Sequence, residues 1–168
     1  GNTIFALRFP SALLGILTVL GAYLLARRMF DDWRIAALGT YLLAISSWHI
    51  ALSRLAVENV ALPFATVWGF YYLYKGIETH RIWHWGVAGS IFGLGYYVSS
   101  EFQIIPLAIL LTLCAYWLAL RAVFSHGRYA YARHQMFGGI LAMVGVFLLI
   151  IFPLLPRLGS FAVSLHNP

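Results

Sequence analysis

A chain of 168 residues that is 62% hydrophobic, 17% aromatic and only 10% charged is not an ordinary soluble domain, since charged residues make up about a quarter of those. The net charge of +6 would suit nucleic acid, but the basic residues fall between apolar runs rather than on one soluble face. Membrane topology accounts for them, and no nucleic-acid partner is expected.

About twenty apolar residues cross a hydrocarbon core of ~30 Å, and by that measure the chain is expected to be an all-α, polytopic transmembrane helix bundle of about six spans. The first span covers residues 10–26, with Pro10 in its first turn and Arg27-Arg28 closing it. A polar turn, Asp31-Asp32-Trp33-Arg34, leads into a second span at 35–52. Residues 46–63 then read SSWHIALSRLAVENVALP, carrying His49, Arg54, Glu58 and Asn59 between two apolar runs. A third span, 60–74, ends at Lys75. The fourth, 85–98, is short and holds Gly86, Gly89, Gly93 and Gly95. Ser99-Ser100-Glu101-Phe102-Gln103 precedes a fifth span at 104–123. The most basic loop, 121–135, leads to a sixth span at 136–155.

Alternating spans sort the eleven Lys and Arg residues into two groups. Arg27, Arg28, Arg34, Lys75, Arg81, Arg121, Arg128 and Arg133 share one side, while Arg8, Arg54 and Arg157 share the other. The positive-inside rule makes the first side cytoplasmic and turns both chain ends and the 46–63 stretch outward. Trp33, Trp48, Trp83 and Trp85 lie near span ends, as an interfacial belt requires, and Trp68 and Trp117 read as packing residues. The lone Cys114 can make no internal disulfide. Residues 1–168 form one transmembrane domain. Opening without methionine at Gly1 and stopping at His166-Asn167-Pro168, they read as an internal piece of a longer protein.

Hydrocarbon penalises ionisable groups, so the polar residues of the outward turns are the candidate site. Arg54 and Glu58, four apart, would share a helical face. That spacing fits an ion pair worth ~0.2–0.5 kcal/mol, or a phosphate contact through the planar guanidinium. Glu58 and Asn59 could equally open the next helix as dipole partner and cap. Ser100-Glu101-Phe102-Gln103 fits a capping box, which would explain Glu101 structurally. His49 could be a metal ligand or a proton carrier, but no partner ligands stand at a metal spacing. A lone histidine near an interface is more often a hydrogen-bonded bystander; His49 is kept among the candidate substrate-binding residues. His126 and His134 add to a loop that would attract anionic lipid. Gly89-x-x-x-Gly93 fits close helix packing. No metal site is expected, no cofactor is evident, and a divalent cation has no ligand cluster behind it.

Several segments, in their order, resemble one family. Leu7-Arg8-Phe9-Pro10-Ser11-Ala12-Leu13-Leu14-Gly15 and Tyr23-Leu24-Leu25-Ala26-Arg27-Arg28-Met29-Phe30 are similar to the second membrane helix of the polyprenyl-phosphate-sugar glycosyltransferases of the GT-C fold. That family includes the protein O-mannosyltransferases and the aminoarabinose transferases. Ser47-Trp48-His49 with Leu52-Ser53-Arg54 is similar to its next outward turn. Gly93-Leu94-Gly95-Tyr96-Tyr97 and Ile105-Pro106-Leu107 match its glycine-rich span and the helix after it, and His166-Asn167-Pro168 a further outward loop.

The resemblance implies transfer of a sugar from a polyprenyl-phosphate carrier to a lipid, glycan or protein acceptor, at the outer face of a prokaryotic plasma membrane. It implies a catalytic acid in an outward loop upstream of Gly1, so that 1–168 alone would be inactive. Arg54 is then the candidate contact for the carrier phosphate, with Glu58 or Asn59 beside it. A transporter or flippase with Arg54, Glu58 and Glu101 along its path, or a non-catalytic membrane subunit, are the competing readings.

Overall fold

A computed structural model describes residues 4–54, 61–98, 104–123 and 129–154. Among these residues the chain is all-helical, as expected: α1 (Ile4–Phe30), α2 (Trp33–Ile45), α3 (Ser47–Arg54), α4 (Ala61–Thr79), α5 (Ile82–Val98), α6 (Ile104–Val123) and α7 (Tyr129–Ile151), with a 3-10 turn at Phe152–Leu154. One helical stretch, Arg8–Phe30, is long and apolar enough by itself to cross a membrane. Shorter apolar helices are Trp33–Ile45, Ile104–Ala115 and Met136–Ile151.

Several expected boundaries move. Pro10 lies inside α1, which already begins at Ile4. The apolar run Ile4-Phe5-Ala6-Leu7 extends the helix upstream, and Pro10, its seventh residue, forgoes one backbone hydrogen bond inside it. Lys75 does not stop α4, which continues to Thr79, because its ammonium lies over the Tyr71 ring at 5.8 Å and need not leave the helix. The segment expected as loop up to Gln135 is helical from Tyr129 onward. Pro63 and Pro106 both occupy the third position of their helices, α4 and α6, where the missing N–H is no loss.

The turns are set by local chemistry. Asp31 closes α1 in the left-handed region (φ 50°) and His80 closes α4 the same way (φ 54°). The Asp32 carboxylate then accepts from the Arg34 N–H at 2.8 Å and caps α2.

Spatially the helices form a row in which α2 and α3 flank α1, α1 meets α4, α4 meets α5, α5 meets α7, and α7 carries α6. The core gathers around α5 and includes Trp85, Ala88, Phe92, Ile109, Ile140 and Met143. Trp85, expected at an interface, is instead 2% exposed. Its indole is held between Gly76 of α4 and Gly139 of α7, where a Cβ on either glycine would meet the ring. Trp33 and Trp83, 57% and 72% exposed, do sit at the surface as a belt would have them.

The glycine spacing in α5 does what Gly89-x-x-x-Gly93 promised. A side chain at Gly89 would run into the Met143 backbone carbonyl, and one at Gly93 would press on Ile150 at 3.0 Å. Bare backbone at these positions lets α5 and α7 close on each other, the packing mode that replaces the hydrophobic drive between helices in lipid. The substitution Gly89→Ala is expected to destabilise the full-length protein by about 1–3 kcal/mol, because a backbone rather than a side chain must yield. Gly86→Ala, at a position open to at least 4 Å, is expected to be neutral or stabilising by up to ~1 kcal/mol. Thermal unfolding of the two variants in detergent checks the contrast.

Candidate functional site

The stretch expected to face outward begins where one expected span becomes two helices. Residues 35–52, read as a single span, break at Ser46, whose backbone is extended (φ −60°, ψ 123°). The Ser46 N–H donates to the Leu43 carbonyl at 3.2 Å, and its own carbonyl accepts from the Ile50 N–H at 3.0 Å. One residue therefore ends α2 and begins α3. Serine suits the position because it competes for local hydrogen bonds and tolerates extended backbone at helix starts.

α3 packs on α1, and His49 lies in that contact, 8% exposed. Its Nε2 stands 3.3 Å from the Gly15 carbonyl. A carbonyl can only accept, so Nε2 carries the proton and donates. Beside the ring is a cleft of about 440 Å³, lined by Ala12, Gly15 and Ile16 of α1, Ala44 at the end of α2, and His49 and Ile50 of α3.

α1 can receive these neighbours because Ser11, Gly15, Thr18 and Gly21 are buried along it. Their spacing of four, three and three makes a stripe of small residues on one helical face. The sequence carried that signal, but the apolar residues between them hid it. Thr18, 1% exposed, turns its hydroxyl to the Leu14 carbonyl at 2.7 Å. Further along, the Trp68 indole N–H donates to the Leu17 carbonyl at 3.1 Å, with the ring against Gly21, so Trp68 is the packing residue expected of it.

Of the expected site residues, His49 is the one whose surroundings are described. Arg54 is the last residue of α3, about 7.5 Å along the helix axis from His49 at 1.5 Å per residue. Its side chain, Glu58, Asn59, and Glu101 with its capping box lie outside the described residues, as do His126 and the Trp117 and His134 side chains. The expected pairing of Arg54 with Glu58 falls there too. Among the described residues no cluster of three or more His, Cys, Asp or Glu could hold a metal ion.

The opposite end of the bundle is a separate polar cluster. Arg28, on the more basic side of the charge sorting, meets Glu78 at 2.6 Å. Both are partly exposed (31% and 53%), so the pair is worth ~0–1 kcal/mol. Arg28 also lies over the Tyr71 ring at 5.3 Å. Thr79 donates its hydroxyl to the Lys75 carbonyl at 2.7 Å. Its single proton thus used, the 2.9 Å contact with His84 Nδ1 needs an N–H from the ring. His84 stacks on Tyr72 with ring centres 6.4 Å apart. Burial holds its pKa below the usual value, and Lys75, Arg81 and Arg28 lower it further.

Against this geometry, the family model described as dolichyl-phosphate-mannose-protein mannosyltransferase matches residues 1–152. The chain belongs to that family. No curated protein and no solved structure matches the chain. Members of the mannosyltransferase family are integral membrane glycosyltransferases of the GT-C type, and the resemblance drawn from the residues is thereby borne out.

The basic end of this mannosyltransferase-family chain carries a pH dependence that can be measured. An unfolded histidine titrates near 6.5 and His84 in the fold titrates lower. As pH falls through about 6.5, the unfolded chain takes up a proton that the fold resists, so stability drops. The melting temperature is expected to fall between pH 7.5 and 5.5, and the fall to be shallower in His84→Gln, which keeps an N–H for Thr79 but does not titrate.

Proposed function

We propose that the full-length protein transfers a sugar from a polyprenyl-phosphate carrier to a lipid, glycan or protein acceptor at the extracytoplasmic face of a prokaryotic plasma membrane. The observation that carries the reading is the mannosyltransferase-family match over residues 1–152. In this arrangement α1, the broken α2–α3 leg, α4, α5, α6 and α7 are six membrane passes. Both ends of 1–168 face outward, and the Arg28–Glu78 end faces the cytoplasm. Contacts support the alternation: Arg28 near the end of α1 pairs with Glu78 near the end of α4, while Trp85 at the start of α5 meets Gly139 in the first half of α7.

The chemistry asks for two charged groups. An acceptor hydroxyl attacks the anomeric carbon while a carboxylate takes its proton. We assign that base to an acid in the outward loop that the family pattern places before Gly1. As the bond to the carrier breaks, the lipid phosphate gains negative charge, and a guanidinium in place beforehand stabilises it. Arg54 is assigned that role, and its fork of donors matches phosphate oxygens. Glu58 or Asn59 provides the neighbouring polar position, and Glu101 and His49 complete the polar groups of the outward side.

The interruption of a helix at Ser46 is also a device of transporters, whose broken helices bind substrate. Movement of labelled substrate across proteoliposomes without sugar transfer would favour that second reading. For the first, Arg54→Ala in the full-length protein is expected to lower transfer by about 10²–10³-fold, the usual cost of one lost charge-stabilising group. Arg54→Lys, a point charge without the fork, is expected to fall between the two. Insertion should be intact in both variants, and normal turnover in Arg54→Ala would overturn the assignment.

A further inference from the structure

We infer that His49 is a positioning residue for the reaction, pinning α3 to α1 across the break at Ser46 and so fixing the helix that ends in Arg54. The inference rests on the glycosyltransferase reading and on Arg54 contacting the carrier phosphate.

α3 has eight residues, well short of the ~12–15 at which an isolated helix becomes even marginally stable. Cut from α2 at Ser46, it owes its place to what it packs on. That support is α1, and in the contact lies His49, more than nine-tenths buried and hydrogen-bonded to the Gly15 carbonyl at 3.3 Å. Gly15 is itself buried in α1, a helix of 27 residues. The rigid partner is therefore the long helix, and the ring transfers that rigidity to the short one.

The geometry commits one nitrogen of the His49 ring, Nε2, to this contact. An Nε2–H donates to the carbonyl whether the ring is neutral or charged. What the site requires is an N–H at a set reach, which an amide of similar length can supply. The consequence for catalysis lies in distance, because a guanidinium displaced by 1 Å from a developing charge can cost ~10²-fold in rate.

The test uses the full-length protein in nanodiscs, with a short-chain polyprenyl-phosphate mannose as donor. Wild type is compared with His49→Ala, His49→Gln and His49→Asn. In parallel, spin labels at Leu13 and Ala51, exposed positions on α1 and α3, report the distance between the helices in a cysteine-free background. His49→Ala is expected to lower kcat by about 10²-fold with donor KM within about threefold, as for an interaction felt in the transition state. It should also broaden the label distances. His49→Gln, whose amide reaches the same carbonyl, should return kcat to within about tenfold of wild type with narrow distances, and the shorter His49→Asn should not.

Unchanged turnover or unchanged label distances in His49→Ala would overturn the inference. So would a His49→Gln variant as slow as His49→Ala with wild-type distances, since His49 would then touch the reacting groups. A wild type that transfers no mannose while transporting the donor would instead bring down the glycosyltransferase reading, and the role at Arg54 with it.

Discussion

The bundle depends on how closely α5 and α7 approach. At Gly89 the backbones come so near that a single methyl group would collide with the Met143 carbonyl. Close approach is what makes the other contacts possible. It lets Trp85 fill the space between Gly76 and Gly139, and brings Tyr97 near enough to donate its hydroxyl to the Ile150 carbonyl at 2.6 Å. Between lipid-exposed helices the hydrophobic effect gives no net drive, since the tails are as apolar as leucine. Dispersion across a tight contact has to supply it, and dispersion falls off within a fraction of an ångström.

α1 plays the corresponding part at the other end of the row. Its small-residue face receives α3 through His49 and α4 through Trp68, both by hydrogen bonds to α1 carbonyls. Each bond adds a second acceptor load to a helix carbonyl and asks nothing of side-chain partners. This is an economical way to hold aromatic rings against a helix that has little polar surface of its own. It also means that α3 and α4, the helices on either side of residues 55–60, are anchored on a common support.

Much of this could be read from the residues. High apolarity with basic residues between the runs gave the helical class, and the Gly89 and Gly93 spacing gave the α5 packing. The break at Ser46 was not visible, because Ser46 and Ser47 interrupt the apolar pattern no more than many helical serines do. Trp85 was misplaced because position near the end of a run says nothing about whether two glycines wait to receive the ring. The contact of His49 with α1 was hidden for a related reason: its partner is a backbone carbonyl, and no sequence pattern announces one. The resemblance to the mannosyltransferase family was legible from the order of short motifs, each of them modest alone.

The length of α2 has a consequence for where polar bonds sit in depth. Thirteen residues reach about 20 Å at 1.5 Å per residue, so in the proposed bilayer setting the break at Ser46 falls some 10 Å short of the far edge of a ~30 Å hydrocarbon layer. Eight more residues carry α3 to that edge at Arg54. Arg54 is thereby the residue of α3 nearest the proposed membrane surface, and His49, five residues earlier, lies about 7.5 Å deeper along the axis.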